Sequence, residues 1–101
     1  MRSNWLVVVV CALLRGQNPD PAYPHLEKAY AALRAADYEE AIASFQEAVK
    51  AAPERPAIRK DLAYALLKAG EREAAREQFG AALRLDPGDA HLALEYAFLC
   101  Y

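Results

Sequence analysis

Two segments of the chain carry almost the same pattern of residues, and this repetition constrains the fold more than any other feature. The first segment runs from Asp37 to Pro53, and the second, 34 residues further on, runs from Glu71 to Pro87. Both place alanine at the fifth and twelfth positions, phenylalanine at the ninth and proline at the seventeenth. A fixed period of this length predicts a stack of helical repeats.

The same period continues outside these two segments. It relates three alanines, and an aromatic residue directly follows each of them: Ala29, Ala63 and Ala97. The sequence therefore predicts two full repeats, residues 22–55 and 56–89, and the first helix of a third, residues 90–101. The composition agrees, because 55% of the residues are apolar and only 26% are charged, which suits a packed chain rather than a disordered one.

Local signals divide each repeat into two helices. Pro56 suits a first helical position, because the N–H that proline lacks would be unpaired there. Gly70 predicts a left-handed residue that ends this helix, and the next helix is predicted over residues 72–85. Asp89 can cap the last helix through its carboxylate, and Asp37 can cap the second helix of the first repeat. These signals predict an all-α fold.

The recurring small residues predict where helices touch. Ala63 occupies a position that is alanine in every copy, so we expect it at a close helix contact, where a larger side chain would push the two axes apart. Ala65 lies on the same helix but outside the repeated pattern. We therefore expect Ala65 to accept leucine at a much lower cost in stability than Ala63.

These positions resemble those of the tetratricopeptide repeat family. The second copy matches the family pattern at seven positions: Leu62, Ala63, Gly70, Ala75, Phe79, Ala82 and Pro87. The first copy departs from it at Lys28, where the family has leucine, and at Ala36, where it has glycine. The resemblance covers roughly residues 22–101 and implies an all-α, right-handed solenoid of helical hairpins.

The resemblance also implies a concave groove, lined by the first helix of each repeat, that binds a peptide or protein surface. Carried over by position, the groove residues are Tyr23, Leu26, Tyr30, Leu33, Arg34, Lys60, Asp61, Tyr64, Leu67, Lys68, His91, Leu94, Glu95, Phe98 and Tyr101. The aromatic residues at positions 30, 64 and 98 have two open interpretations. They form a binding surface, for which rigid rings are well suited, or they shield the hairpin cores. The lysines are too few for the carboxylate clamp that some members use.

No catalytic or metal-ligating constellation is present in the sequence. His25 and His91 have no cysteine or paired carboxylate at ligand spacing, and no glycine-rich phosphate loop occurs. The net charge is −2 and no basic block is present, which argues against a nucleic-acid partner. We predict a non-enzymatic scaffold with a protein or peptide partner and with no metal and no cofactor. The alternatives are a structural self-association module and an accessory arm of a longer enzyme.

The first sixteen residues differ from the rest. Residues 5–14 form an unbroken apolar run that follows Arg2. The run is too short to span a bilayer, which takes about 20 residues, but it is typical of a secretory signal peptide. Residues 17–21 would then be a linker, and residues 5–14 would mediate membrane or export association. The predicted location is periplasmic or secreted if residues 1–16 are a signal, and cytoplasmic otherwise. A buried helix or strand, and an artefact of where the chain begins, are the alternatives.

The last segment, residues 90–101, is apolar on almost every side. Leu94, Phe98 and Tyr101 share one face of the predicted helix. The residues of the other apolar face are Leu92, Tyr96 and Leu99. The preceding hairpin can cover only one face, so we expect the other to drive self-association through residues 90–101 unless the repeat array continues.

Overall fold

The computed structural model describes residues 20–101, which form five α-helices and no strand. In chain order the helices are α1 (Tyr23–Arg34), α2 (Tyr38–Ala51), α3 (Pro56–Lys68), α4 (Arg72–Leu85) and α5 (Ala90–Leu99). Each helix packs against the next one along the chain, so α1–α2 and α3–α4 are hairpins and α5 lies against α4. The predicted all-α repeat fold is confirmed. The predicted signal segment, residues 1–16, and residues 17–19 of the predicted linker lie outside the described residues.

The helices begin where the sequence signals predict. The Asp37 carboxylate accepts a hydrogen bond from the backbone N–H of Glu40 at 3.2 Å. The Asp89 carboxylate accepts hydrogen bonds from two backbone N–H groups at the start of α5, at 3.0 and 3.2 Å. Pro56 is the first residue of α3, and α4 spans the predicted residues. The capping carboxylates satisfy N–H groups that a helix start leaves without a partner.

The first helix of each repeat has two apolar faces, one toward the helix before it and one toward the helix after it. In α1, which packs only on the following helix, the buried residues are Ala29 and Ala32. In α5, which packs only on the preceding helix, they are Leu92 and Leu99. In α3, which has a neighbour on each side, both sets are buried, at five positions: Ile58, Leu62, Ala63, Ala65 and Leu66. The position of a residue in the repeat therefore decides which neighbour it meets.

The prediction that Ala65 lies away from any helix contact is wrong. Ala65 is buried, and it occupies the same repeat position as Leu99, which faces the preceding helix. The sequence pattern missed this contact because Ala31, the corresponding residue of α1, is exposed. The same geometry explains Lys28, which stands where the family has leucine. Among the described residues no helix precedes α1, so Lys28 is exposed and its charge remains in water.

The two hairpins turn in the same way although only one turn contains glycine. Gly70 has φ = 83°, and Ala36, at the corresponding position, has φ = 56°. In each turn the next residue donates its N–H to a carbonyl five residues earlier, at 2.8 Å from Glu71 and 2.9 Å from Asp37. This is the hydrogen bond of a Schellman-type helix end, which favours glycine because a Cβ is strained in the left-handed conformation.

We expect Ala36→Gly to stabilise the protein by about 0.5–1 kcal/mol, because glycine relieves the left-handed strain and loses only part of that gain to chain entropy. Gly70→Ala should destabilise it by about 1 kcal/mol through backbone strain alone, since an added Cβ meets no atom within 4 Å. Urea unfolding followed by circular dichroism measures both changes. As a control, Ala35→Gly should destabilise, because Ala35 has φ = −87° and gains nothing from glycine. A neutral or destabilising Ala36→Gly would contradict this account.

Candidate binding face

Two side-chain hydrogen bonds join the predicted groove residues of successive repeats. The Tyr30 hydroxyl on α1 donates to the carboxylate of Asp61 on α3. The Tyr64 hydroxyl on α3 lies 2.8 Å from Nε2 of His91 on α5. The structure therefore brings together predicted groove residues from α1, α3 and α5, and it links the first helix of each repeat to the next.

The two tyrosine rings also pack against the cores of their own hairpins. Tyr30 meets Phe45 edge to face, with ring centroids 5.3 Å apart and an interplanar angle of 81°. Tyr64 meets Phe79 in the same way, at 5.1 Å and 83°. Edge-to-face pairs are favourable because the positive edge of one ring meets the negative face of the other. The shielding interpretation is therefore supported for both tyrosines.

Phe98, the third member of the aromatic series, is in a different environment. Its side chain is 68% exposed, and no second ring packs on it among the described residues. Instead, the guanidinium carbon of Arg72 lies 5.8 Å from the ring centroid, within the range of a cation–π contact. Phe98 therefore presents most of its ring to solvent.

The other predicted groove residues divide by exposure. Five of them are exposed: Tyr23, Arg34, Lys68, Leu94 and Tyr101. His91 is exposed as well, although its ring contacts Tyr64. The half-buried ones are Leu26, Leu33, Lys60, Asp61, Leu67 and Glu95, and their leucines pack against the core. The available apolar surface is therefore concentrated at the two ends of the face, on α1 and α5.

Sequence reasoning missed one regular feature of this face, a row of acidic residues beside the aromatic series. Glu27, Asp61 and Glu95 are each 34 residues apart and occur once in each first helix. Asp61 accepts the Tyr30 hydrogen bond, and a Glu95 carboxylate oxygen lies 3.7 Å from Nε2 of His91. The signal was present in the period, but Glu27 was not compared with its counterparts.

The acidic row and partial burial both raise the pKa of the tyrosines. Burial has the larger effect on Tyr30, and the adjacent Asp61 carboxylate adds to it, which raises the pKa of Tyr30 to about 12. Burial also raises the pKa of Tyr64, and the negative charge of Glu95 contributes. Both effects disfavour the phenolate, the charged form of the side chain.

Folding stability should therefore fall between about pH 10 and pH 12, because Tyr30 loses its proton in the unfolded chain at a lower pH than in the folded one. Tyr30→Phe should lose less stability than the parent between pH 9 and pH 11, as measured by urea unfolding. Asp61→Asn should lower the pKa of Tyr30 by removing the carboxylate charge, which ultraviolet difference titration detects. An equal loss of stability in the parent and in Tyr30→Phe would show that this ionisation is not linked to folding.

Two other classes of site were sought in the described residues. Within residues 20–101 no helix is long and apolar enough to cross a membrane. The same part of the chain contains no group of three or more histidine, cysteine, aspartate or glutamate residues that could hold a metal ion.

Comparison with known families supports the reading of the repeat. The family model described as a tetratricopeptide repeat matches residues 32–94, which is more than half of the chain. The match begins near the end of α1, includes α2, α3 and α4, and ends within α5. No curated protein matches the chain.

Proposed function

The chain belongs to the tetratricopeptide repeat family, and from this premise we propose that it is a non-catalytic scaffold that binds a peptide or protein surface along the face formed by α1, α3 and α5. Repeats of this family generally mediate protein–protein interaction. One observation carries the proposal. The tyrosine hydroxyls fasten successive first helices together, while apolar side chains on the same face stay exposed, with Tyr23 at 60% and Leu94 at 70%.

The side chains of this face form rows that suggest the chemistry of the ligand. An acidic row (residues 27, 61 and 95) lies beside the aromatic row (residues 30, 64 and 98), and Arg34 and Lys68 begin a basic row. A fitting ligand has apolar side chains between charges of both signs. We expect its apolar side chains to carry most of the affinity, because exposed ion pairs contribute little and are screened by salt. Binding should therefore weaken only modestly when the salt concentration is raised.

Peptide selection tests the proposal directly. Twelve-residue peptides selected from a random display library against the chain should bind the double variant Tyr23→Ser/Leu94→Ser at least tenfold more weakly, because both exposed apolar anchors are lost. The matched control is Glu47→Ser/Lys50→Ser, which changes two exposed residues of α2 that pair with each other at 3.1 Å. The control should bind the peptides as the parent does. Selected peptides that bind both double variants equally would contradict binding at this face.

Self-association through residues 90–101 is the second candidate function. The observation in its favour is the exposure of three large apolar side chains on or next to α5, Leu94 at 70%, Phe98 at 68% and Tyr101 at 106%. Clusters of exposed apolar residues commonly mark interaction sites. Sedimentation of the chain at several concentrations should then show a dimer, and a monomer at the highest concentration would contradict this candidate.

A further inference from the structure

The first helices differ in whether the face that carries the conserved alanine is covered. Ala29 on α1 and Ala63 on α3 are fully buried, whereas Ala97, at the same repeat position on α5, is exposed. One turn further on, Leu66 of α3 is buried and Cys100, its counterpart after α5, is exposed. The face of α5 defined by Ala97, Phe98 and Cys100, called the open face below, lacks the neighbour that the equivalent faces have.

The equivalent faces are covered by the second helix of each repeat, and both covering helices use the same stripe. In α2 the stripe is Ala41, Phe45 and Ala48, and in α4 it is Ala75, Phe79 and Ala82, all fully buried. In each hairpin the phenylalanine of the stripe meets the tyrosine that follows the conserved alanine, edge to face. Phe98 follows Ala97 in the same way and meets no ring of the described residues. Two copies of the same contact within one molecule thus show what fits the third.

We propose that the open face binds an amphipathic α-helix of a partner protein that presents alanine, an aromatic residue and alanine at positions i, i+4 and i+7. The aromatic residue of the partner would pack edge to face on Phe98, and its first alanine would allow a close approach to Ala97. The partner stripe is uncharged, because the corresponding stripes of α2 and α4 contain no charged residue. The site is distinct from the proposed groove, since Ala97 and Cys100 are not groove residues.

A second copy of the folded chain is a poorer occupant than a partner helix. The stripes of α2 and α4 are fully buried in their own hairpins, so a second copy could offer them only by unfolding. The open face itself has no aromatic residue four positions after Ala97, so two open faces do not supply the pattern to each other. The stripe must therefore come from a helix that is not already part of this fold.

The probe for the experiment is the α4 stripe itself, as an acetylated and amidated peptide with the sequence of residues 71–87. Titrated to millimolar concentration, because an isolated helix of this length is only partly formed, it should shift the nuclear magnetic resonance signals of Ala97, Phe98 and Cys100 in the isotope-labelled chain. The same peptide with Phe79→Ala should bind at least tenfold more weakly. Absence of shifts, or shifts confined to α1 and α3, would overturn the proposal.

The sign of the effect of Ala97→Leu in the chain separates a specific contact from a sticky surface. At a close helix contact the larger side chain holds the peptide away, so affinity should fall at least tenfold, while the melting temperature of the free chain stays unchanged because Ala97 is exposed. Tighter binding would show a nonspecific apolar patch and overturn the proposal. Ala43→Leu, at an exposed alanine of α2, is the matched control and should alter neither quantity. A dimer of the chain without peptide would also overturn it, in favour of self-association.

Discussion

Replacing Phe79 by alanine should lower the free energy of unfolding by about 3–5 kcal/mol, the usual cost of deleting a buried aromatic ring. The Phe79 ring is fully buried and packs on Tyr64 at 5.1 Å. Its loss removes buried apolar area, leaves a cavity between α3 and α4 and breaks the edge-to-face contact. A small domain has only about 5–15 kcal/mol of stability, so this one change removes a large share of it.

Phe98→Ala is the matched control, since Phe98 is also a phenylalanine in a helix but is 68% exposed. Its removal should change the unfolding free energy by no more than about 1 kcal/mol, mainly through the contact with Arg72. Urea unfolding followed by circular dichroism at 222 nm, a wavelength that reports helix, measures both variants under the same conditions. If the two substitutions shift the midpoint equally, Phe79 is not the core residue described above. Phe45→Ala should resemble Phe79→Ala, because Phe45 makes the same contact with Tyr30.

The boundaries of the helices could be predicted from the sequence because their signals are local. Pro56, Gly70 and Asp89 each act within one turn of chain, through a missing N–H, a left-handed conformation and a side-chain cap. Ala36 could not be assigned so directly, since alanine is not the expected residue at φ = 56°. The rest of the hairpin imposes that conformation on it, through the same hydrogen bonds that form at Gly70.

Burial could be predicted less completely, because the period shows which residues are equivalent and not which neighbours are present. Lys28 and Leu62 are 34 residues apart, yet one is exposed and the other is buried. The difference arises because α3 has a preceding helix and α1 has none among the described residues. A repeat pattern averages over copies, whereas the helices at each end of an array have fewer neighbours than those in the middle.

For the candidate binding face, the sequence could place the side chains on one face but could not reveal their partners. The two interpretations of the aromatic series are not exclusive, because Tyr30 uses its ring in the core and its hydroxyl to bind Asp61 on the next repeat. That contact joins residues 31 positions apart, so no local signal announces it. Phe98 lacks the hydroxyl and differs from both tyrosines in its surroundings.

Leucine substitutions at Ala63, Ala65 and Ala97 test the account of two packing faces. Ala63 and Ala65 are both buried, toward the following and the preceding helix respectively, so each substitution should overpack a contact and cost about 1–3 kcal/mol. Ala97 shares the repeat position of Ala63 but is exposed, so Ala97→Leu should change the unfolding free energy by no more than about 0.5 kcal/mol. Urea unfolding of the three variants gives the comparison.

The pattern among the three variants matters more than any single value. If the repeat position alone set the cost, Ala63→Leu and Ala97→Leu would agree and Ala65→Leu would be mild. If the presence of a neighbouring helix sets it, the two α3 variants agree and Ala97→Leu is mild. The second pattern is expected, because overpacking needs a facing helix, and among the described residues Ala97 has none. A costly Ala97→Leu would mean that the open face is already covered in the free chain, and no partner helix could then bind there.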